Sequence, residues 1–232
     1  MTDSANSTAA GKRKLTAHAL PMVLFVALLG LCSLLRRPGA ALWLAAPEFW
    51  VYPLQTFLCA GLLVFYWREY EFHPLRRPAF TVAIALLVFV LWIAPQQFFH
   101  FPARLVGFNP DTLSASPAAY WTTLILRFIR LVIVVPLVEE IFWRGFLLRY
   151  LISERFDAVP FGTFRWLSFS VVTLAFGLSH STADWPAALA TGALYNFVAY
   201  WTKSLSSCVL AHALTNLALG LWIVATRQWG FW

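Results

Sequence analysis

The stretch VVPLVEEIFWRGFLL, residues 134–148, places two glutamates and an arginine in the middle of an apolar run. A charged side chain at the centre of a membrane-spanning helix costs about 2.5–3.5 kcal/mol on scales derived from membrane insertion. Glu139, Glu140 and Arg144 therefore need polar partners. We expect all three to face the interior of a helix bundle rather than lipid.

The composition of the whole chain supports a membrane setting. Of its 232 residues, 60% are hydrophobic and 12% are charged, and the mean hydropathy is +0.70. Soluble domains are about 45–50% apolar and about 25% charged, so an ordinary soluble protein is excluded. No polar stretch is long enough to enclose a second core. We predict a polar tail over residues 1–18 and one membrane-embedded domain over residues 19–232.

Apolar runs that are long enough to cross a bilayer predict the fold. A helix needs ~20 such residues to span the hydrocarbon core. The predicted fold class is therefore all-α, a polytopic membrane bundle of about seven transmembrane helices. The first run is interpreted as a retained anchor, and Pro136 is expected to bend the fourth because it removes an amide donor. The runs are 19–35, 49–67, 79–95, 119–150, 165–181, 186–202 and 205–226.

The distribution of Lys and Arg predicts the orientation of the bundle. The side of the N-terminus holds more basic residues than the other side, which favours a cytoplasmic N-terminus. These residues are scattered over separate loops, so we expect no nucleic-acid partner. The first side holds Lys12, Arg13, Lys14, Arg68, Arg76, Arg77, Arg149, Arg155, Arg165 and Lys203, and the other holds Arg36, Arg37, Arg104 and Arg227.

Two further spacings supply possible neighbours for the charged stretch. FGLSH places Phe176 and His180 four residues apart, and HALTN places His212 and Asn216 four residues apart. Residues at i and i+4 share one face of a helix. Each motif therefore presents a polar side chain on a defined helical face.

The spacing within the charged stretch predicts one ion pair and one separate carboxylate. Glu140 and Arg144 are four residues apart with the acid first, which is the favourable order. Glu139 lies about 100° around the helix, so the same partner does not easily serve it. Counted at ~1.5 Å per residue from the cytoplasmic helix ends, Glu139, His180 and His212 lie ~16, ~22 and ~12 Å deep. We expect these groups to form one polar cluster.

In order along the chain, the three motifs read EEIFWR (139–144), FGLSH (176–180) and HALTN (212–216). They resemble the EExxxR, FxxxH and HxxxN pattern of the CAAX protease and bacteriocin-processing (CPBP, or Abi) family, intramembrane endopeptidases related to the type II CAAX prenyl endopeptidases. The resemblance covers a protease core of about 120–226. It implies an enzyme, an intramembrane protease that acts on a peptide or protein substrate at the lipid bilayer without a cofactor. We expect it in a bacterial inner (plasma) membrane.

The resemblance also implies a role for each motif residue. Glu139 would be the general base that takes a proton from water, and His180 would hold and polarise that water. His212 and Asn216 would donate hydrogen bonds to the developing oxyanion, a contribution of ~3–4 kcal/mol per donor in other hydrolases. The supporting pair described above would orient the base. No motif serine or cysteine is an obvious nucleophile, since Ser179 is expected to point about 100° away from its neighbour His180.

Two alternatives stay open. Glu139, His180 and His212 have the ligand types of a zinc site, although the chain has no HExxH helix. The second alternative is a non-catalytic membrane protein with the same fold, either a transporter-like proton relay or an immunity-type partner. If the chain is a protease, an intact substrate helix would shield its carbonyls, so we expect an unwound segment that enters from the cytoplasmic side.

Overall fold

The computed structural model describes the backbone of residues 2–232 and the side chains of residues 11–232. Within this range the regular elements are helices, and no strand is present, which confirms the all-α fold class. The seven main helices are α1 (Thr2–Leu35), α2 (Glu48–Phe65), α3 (Pro78–Gln97), α4 (Pro117–Tyr150), α5 (Trp166–Leu178), α6 (Trp185–Thr202) and α7 (Leu205–Thr226). The connections contain a one-turn α-helix, Leu42–Ala45, and 3-10 turns at Trp67–Glu69, Pro110–Leu113, Phe156–Ala158, Thr182–Asp184 and Trp229–Phe231.

All seven predicted apolar runs are helical, but five of the helices are both long and apolar enough to cross a membrane. α5 has 13 residues, which is short for a bilayer. α6 has 18 residues but carries polar side chains such as Thr191 and Asn196. α5 and α6 therefore lie in the bundle without meeting the criteria of full-length spans. The five candidate spans are Gly11–Leu35, Glu48–Phe65, Pro78–Gln97, Pro117–Tyr150 and Leu205–Thr226.

The first helix begins earlier than the predicted span. α1 starts at Thr2, so the predicted polar tail, residues 1–18, overlaps it. The side chains of residues 1–10 lie outside the described part of the chain. The division between a tail and a membrane domain after residue 18 stays a prediction.

α4 is one continuous helix with two widened turns. Its α-helical parts alternate with π-helical parts. In the first π segment the Val135 N–H donates to Arg130 O, five residues back. The next bond of that pattern would need an N–H on Pro136, which has none. The expected disturbance at Pro136 is thus a π bulge just before Glu139 and Glu140, and such bulges often accompany functional sites. The α parts are Pro117–Ile129, Val135–Glu140 and Leu148–Tyr150, and the π parts are Arg130–Val134 and Ile141–Leu147.

Ion pairs tie the loops together at one end of the bundle, which we call the basic end. Lys14 Nζ lies 3.2 Å from Asp157 Oδ2, and Arg149 Nη1 lies 3.5 Å from Glu71 Oε2. These contacts bring the start of α1 together with the α2–α3 and α4–α5 connections. The basic end comprises residues 12–14, 66–77, 151–165 and 203–204, and its assignment to the cytoplasm stays a prediction.

The opposite end is tied in the same way. Arg36 Nη2 lies 3.1 Å from Glu48 Oε2, and Arg104 pairs with Asp184. The start of α2 is thereby tied to the end of α1, and the loop after α3 is tied to the start of α6. The opposite end comprises residues 36–47, 98–116, 179–184 and 227–232.

Small residues let α5 and α6 approach each other closely. A Cβ on Gly177 would clash with the Leu189 side chain, and a Cβ on Gly192 would lie 3.2 Å from Thr173 O. Small residues at such contacts are typical of membrane helices. The close packing positions α6 beside α4, where its polar residues reach the charged stretch.

Candidate functional site

Glu140 lies at the centre of a buried hydrogen-bonded cluster. Its side chain is fully buried, and its Oε1 lies 3.0 Å from Arg144 Nη1 and 2.8 Å from His212 Nδ1. The ion pair expected from the i,i+4 spacing is therefore present, and α7 supplies a second partner. Within residues 11–232, the other carboxylate oxygen, Oε2, is buried without a hydrogen-bond partner.

Arg144 connects α4 to α6. The guanidinium is fully buried, and its Nε donates to Asn196 Oδ1 at 3.1 Å while Nη2 donates to Gly192 O at 3.1 Å. Its charged carbon lies 4.9 Å from the centre of the Phe176 ring on α5. With Glu140 as its third partner, each of the three guanidinium nitrogens has an acceptor, and a buried charge requires such partners.

Asn196 is a member of this cluster that the sequence reasoning missed. It is fully buried, and besides accepting from Arg144 it donates through Nδ2 to Thr173 Oγ1 at 3.1 Å. Asn196 thus holds α4, α5 and α6 together. The available signal was an amide inside an apolar helix, a type of residue that commonly hydrogen-bonds across membrane helices.

The contact with Glu140 determines which nitrogen of His212 carries a proton. An ionised carboxylate accepts hydrogen bonds and has none to donate, so His212 donates through Nδ1–H. The neutral ring then has an unprotonated Nε2, which accepts a hydrogen bond. Donation through Nε2 requires a ring that carries both protons, the imidazolium form.

His180 lies just beyond the end of α5 and is oriented by its own helix. Its Nδ1 lies 2.8 Å from Phe176 O, a carbonyl that only accepts, so Nδ1 is protonated and Nε2 is an acceptor in the neutral ring. The Trp92 ring is in edge contact at 5.6 Å. Contrary to expectation, Ser179 Oγ lies 3.4 Å from His180 Nδ1, but that nitrogen already holds its proton and is not free to take one from the serine.

Glu139 differs from Glu140 in both exposure and pairing. Its side chain is partly exposed, and among residues 11–232 it has no hydrogen-bond or ion-pair partner. The carboxylate lies within Coulombic reach of Arg130. Glu139 is therefore a carboxylate held near a positive charge and left free on α4.

Asn216 contacts the widened turn of α4. Its Nδ2 donates to Leu131 O at 2.9 Å. In the π pattern, Leu131 O would accept from the N–H five residues later, at Pro136, which has no N–H. Asn216 supplies the missing donor from α7. One of its two amide N–H groups is thereby used, and the second is left for another acceptor.

The structure brings some of the predicted site residues into direct contact. Glu140, Arg144 and His212 form the cluster, and the Phe176 ring lies 4.9 Å from both the Arg144 guanidinium and the His180 ring. Glu139, His180 and Asn216 make no side-chain hydrogen bond to this cluster or to one another within the described part of the chain. They belong to the helices that surround it.

The zinc alternative requires three ligand side chains that converge on one point. Across residues 11–232, no group of three His, Cys, Asp or Glu side chains has an arrangement that could hold a metal ion. Of the three suggested ligands, His212 has one ring nitrogen engaged by Glu140, which leaves its Nε2 available.

A cavity of about 500 Å³ lies near His180 at the opposite end of the bundle. Its wall includes Trp92, which contacts the His180 ring, and the paired Arg104 and Asp184. The cavity lies between the end of α3, the loop after it and the start of α6. A route from this end differs from the entry from the basic end that the sequence analysis expects.

Comparison with known proteins gives one match. Residues 120–218 match the family described as type II CAAX prenyl endopeptidase Rce1-like. The matched segment contains α5, α6, most of α4 and the first part of α7, and with them every predicted site residue. No curated protein and no solved structure matches the chain.

Proposed function

Because residues 120–218 belong to the Rce1-like family of type II CAAX prenyl endopeptidases, we propose that this membrane protein is an intramembrane endopeptidase that uses water activated by Glu139. The observation that supports this most directly is the contrast between two adjacent carboxylates. Glu140 is buried and paired, whereas Glu139 is partly exposed and unpaired. A general base needs a free carboxylate that water reaches.

In the proposed first step, water attacks the scissile carbonyl carbon. The Glu139 carboxylate takes one water proton, and His180 Nε2 accepts a hydrogen bond from the other O–H. The new C–O bond forms as the carbonyl π electrons move to oxygen. His180 suits this role because its Nδ1–H is held by Phe176 O, which leaves the Nε2 lone pair free.

The resulting oxyanion needs hydrogen-bond donors. Asn216 offers its second amide N–H, since the first is engaged by Leu131 O. His212 offers Nε2–H when its ring carries both protons, with Nδ1–H donating to Glu140. In the second step the C–N bond breaks and the proton held by Glu139 passes to the leaving amine, so the carboxylate is restored.

Glu140 and Arg144 are proposed as the supporting pair. Their cluster fixes α4 against α6 and α7 and keeps the Glu140 side chain fully buried, so it is not proposed as the base. The proposed partners are a peptide or protein substrate and the lipid bilayer, in a bacterial inner membrane with the basic end in the cytoplasm. The reaction as proposed needs no metal.

The proposal is tested by cleavage assays in proteoliposomes with a quenched fluorescent CAAX-type tail peptide, with and without a prenyl group. Wild type should cleave at least one form, and Glu139→Gln should lower kcat by orders of magnitude. Glu154→Gln, at an exposed position of the basic end, is the matched control and should behave as wild type. No cleavage of either peptide by wild type, or full activity of Glu139→Gln, would contradict the proposal.

A chelator arm separates this mechanism from the zinc alternative. Activity should be unchanged after dialysis against EDTA. Loss of activity that is restored by added zinc would instead favour Glu139, His180 and His212 as metal ligands. Prolonged proton flux in liposomes without peptide cleavage would favour the non-catalytic alternative.

A further inference from the structure

Two buried arginines of α4 lie outside the cluster around Glu140. Arg127 is 5% exposed and Arg130 is 6% exposed, and they lie about one helical turn apart toward the opposite end. Neither forms an ion pair within residues 11–232. Glu48, whose charge acts on Arg127, is itself paired with Arg36 at 3.1 Å. Glu139 lies within Coulombic reach of Arg130, but this one carboxylate offsets only part of the charge of two neighbouring guanidinium groups.

The two arginines differ in how their N–H groups are satisfied. Arg130 Nε donates to Gln55 Oε1 at 2.7 Å. Arg127 Nε and Nη1 are buried without any hydrogen-bond partner among the described residues. Buried unpaired N–H groups are uncommon and indicate that a water or an ion occupies the space in front of them.

Aromatic rings surround the Arg127 guanidinium. Its charged carbon lies 4.8 Å from the centre of the Tyr52 ring, 5.1 Å from Phe108 and 5.4 Å from Trp232. Cation–π contacts stabilise the charge but provide no hydrogen-bond acceptor in the plane of the guanidinium. The unpaired N–H groups therefore still lack partners.

A small cavity lies against this guanidinium. It is lined by Arg127, Tyr52, Phe108 and Thr123, together with Phe49, Pro53 and Leu126. Its volume is about 10 Å³, which leaves room for one small body with a single heavy atom. A phosphate group, with five heavy atoms, is too large for this space.

We propose that a single monatomic anion of chloride size binds in this cavity against Arg127. An anion accepts hydrogen bonds from the unpaired N–H groups and also offsets the charge of the two arginines. A neutral water accepts the hydrogen bonds but does not offset the charge. Both arginines lie toward the opposite end, so the ion would enter from the aqueous phase on that side. The site is independent of the proposed protease chemistry, and its test needs no substrate.

The first test compares the melting temperature of the detergent-purified protein in sodium chloride and in sodium gluconate at equal ionic strength. Chloride should raise the melting temperature by a few degrees in a saturable manner, because a ligand that binds the folded state stabilises it by mass action. Gluconate is too large for the cavity. Arg127→Gln should abolish the difference, and Arg227→Gln, which removes the same charge from a side chain that is 74% exposed, should retain it.

A second variant keeps the test decisive if Arg127→Gln does not fold. Thr123→Ile fills the cavity and keeps both arginines, so it should also abolish the chloride dependence. Crystals grown in sodium bromide should show an anomalous peak within hydrogen-bond distance of the Arg127 guanidinium. Equal melting temperatures of wild type in chloride and gluconate, or a cavity that contains water without an anomalous peak, would overturn the proposal.

Discussion

Two adjacent glutamates on different faces of α4 differ in burial and in hydrogen bonding. On one face Glu140 is fully buried, accepts from Arg144 and His212 and belongs to a network that reaches Asn196 on α6. On the other face Glu139 is partly exposed and has no polar partner within residues 11–232. Both side chains are carboxylates, so the different roles proposed for them follow from their different environments. Glu140 is tied into the bundle by its partners, and Glu139 is the base in the proposed mechanism.

On the Glu140 face, the substitution with the largest expected effect on stability is the removal of Arg144. Arg144→Ala leaves the Glu140 carboxylate, the Asn196 amide oxygen and the Gly192 carbonyl without their shared donor, and the expected loss of stability is about 3–5 kcal/mol. Denaturation of the purified protein in mixed micelles measures this loss. Arg227→Ala, at an exposed side chain with a weak 3.9 Å pair, is the control and should leave the stability nearly unchanged. An Arg144→Ala protein that melts like wild type would show that the cluster is dispensable.

The position of Glu139 depends on the widened turn of α4 that precedes Pro136. A double-mutant cycle of Asn216 and Pro136 tests how this turn is stabilised. Asn216→Leu leaves Leu131 O without a donor and should cost about 1–3 kcal/mol. Pro136→Ala supplies a backbone N–H at the position where the proline has none, so in that background Asn216→Leu should cost much less. The two changes should therefore couple by about 0.5–3 kcal/mol.

The same cycle separates two roles of Asn216. If the second amide N–H also serves the oxyanion, Pro136→Ala restores stability to Asn216→Leu but leaves kcat low. Recovery of both stability and kcat would show that Asn216 only supports the turn. Additive stability effects would break the proposed link between the proline and the asparagine.

An ion pair at the basic end gives the smallest expected effect. Burial raises the pKa of Asp157, but the hydrogen bond and charge of Lys14 outweigh it and hold that pKa below the ordinary value of 3.8. A carboxyl whose pKa is lower in the folded state stabilises the fold above its unfolded pKa. This contribution is present above pH 3.8 and is lost as the pH falls through the lowered value.

Both partners of this pair are about one-third exposed, so solvent screens them and the contribution should be about 0.5 kcal/mol or less. Asp157→Asn should therefore lower the melting temperature slightly at pH 7, and by less as the pH falls below 3.8. A large effect at pH 7 would mean that the basic end, rather than the Glu140 cluster, dominates the stability of the bundle.

The sequence predicts those features that depend on spacing along one helix. The seven helical runs follow from hydropathy, and the Glu140–Arg144 pair follows from its i,i+4 order. The contact of His212 with Glu140 depends on how α7 packs on α4, and no local pattern encodes it. Asn196 was missed because one amide in an apolar helix has no defined partner until α5, packed through Gly177, is in place.

The π segments explain why the predicted role of Asn216 was incomplete. A proline inside an apolar run predicts a bend, but hydropathy does not indicate which carbonyl loses its donor or which helix replaces it. Because α5 is short, His180 lies just beyond its end, where its Nδ1–H donates to Phe176 O. These contacts depend on the exact length and winding of helices, which vary by several residues around any pattern.

The central claim is that adjacent glutamates perform separate tasks, and the most direct test compares Glu139→Gln with Glu140→Gln in the same proteoliposomes. For each variant, the melting temperature and the kcat for the tail peptide are measured together. Glu139→Gln should lower kcat by orders of magnitude and leave the melting temperature within a degree or two of wild type, because the side chain is unpaired. Glu140→Gln should lower the melting temperature strongly, because it leaves Arg144 as an uncompensated buried charge. A Glu139→Gln protein that keeps its activity, or one that loses as much stability as Glu140→Gln, would contradict the claim.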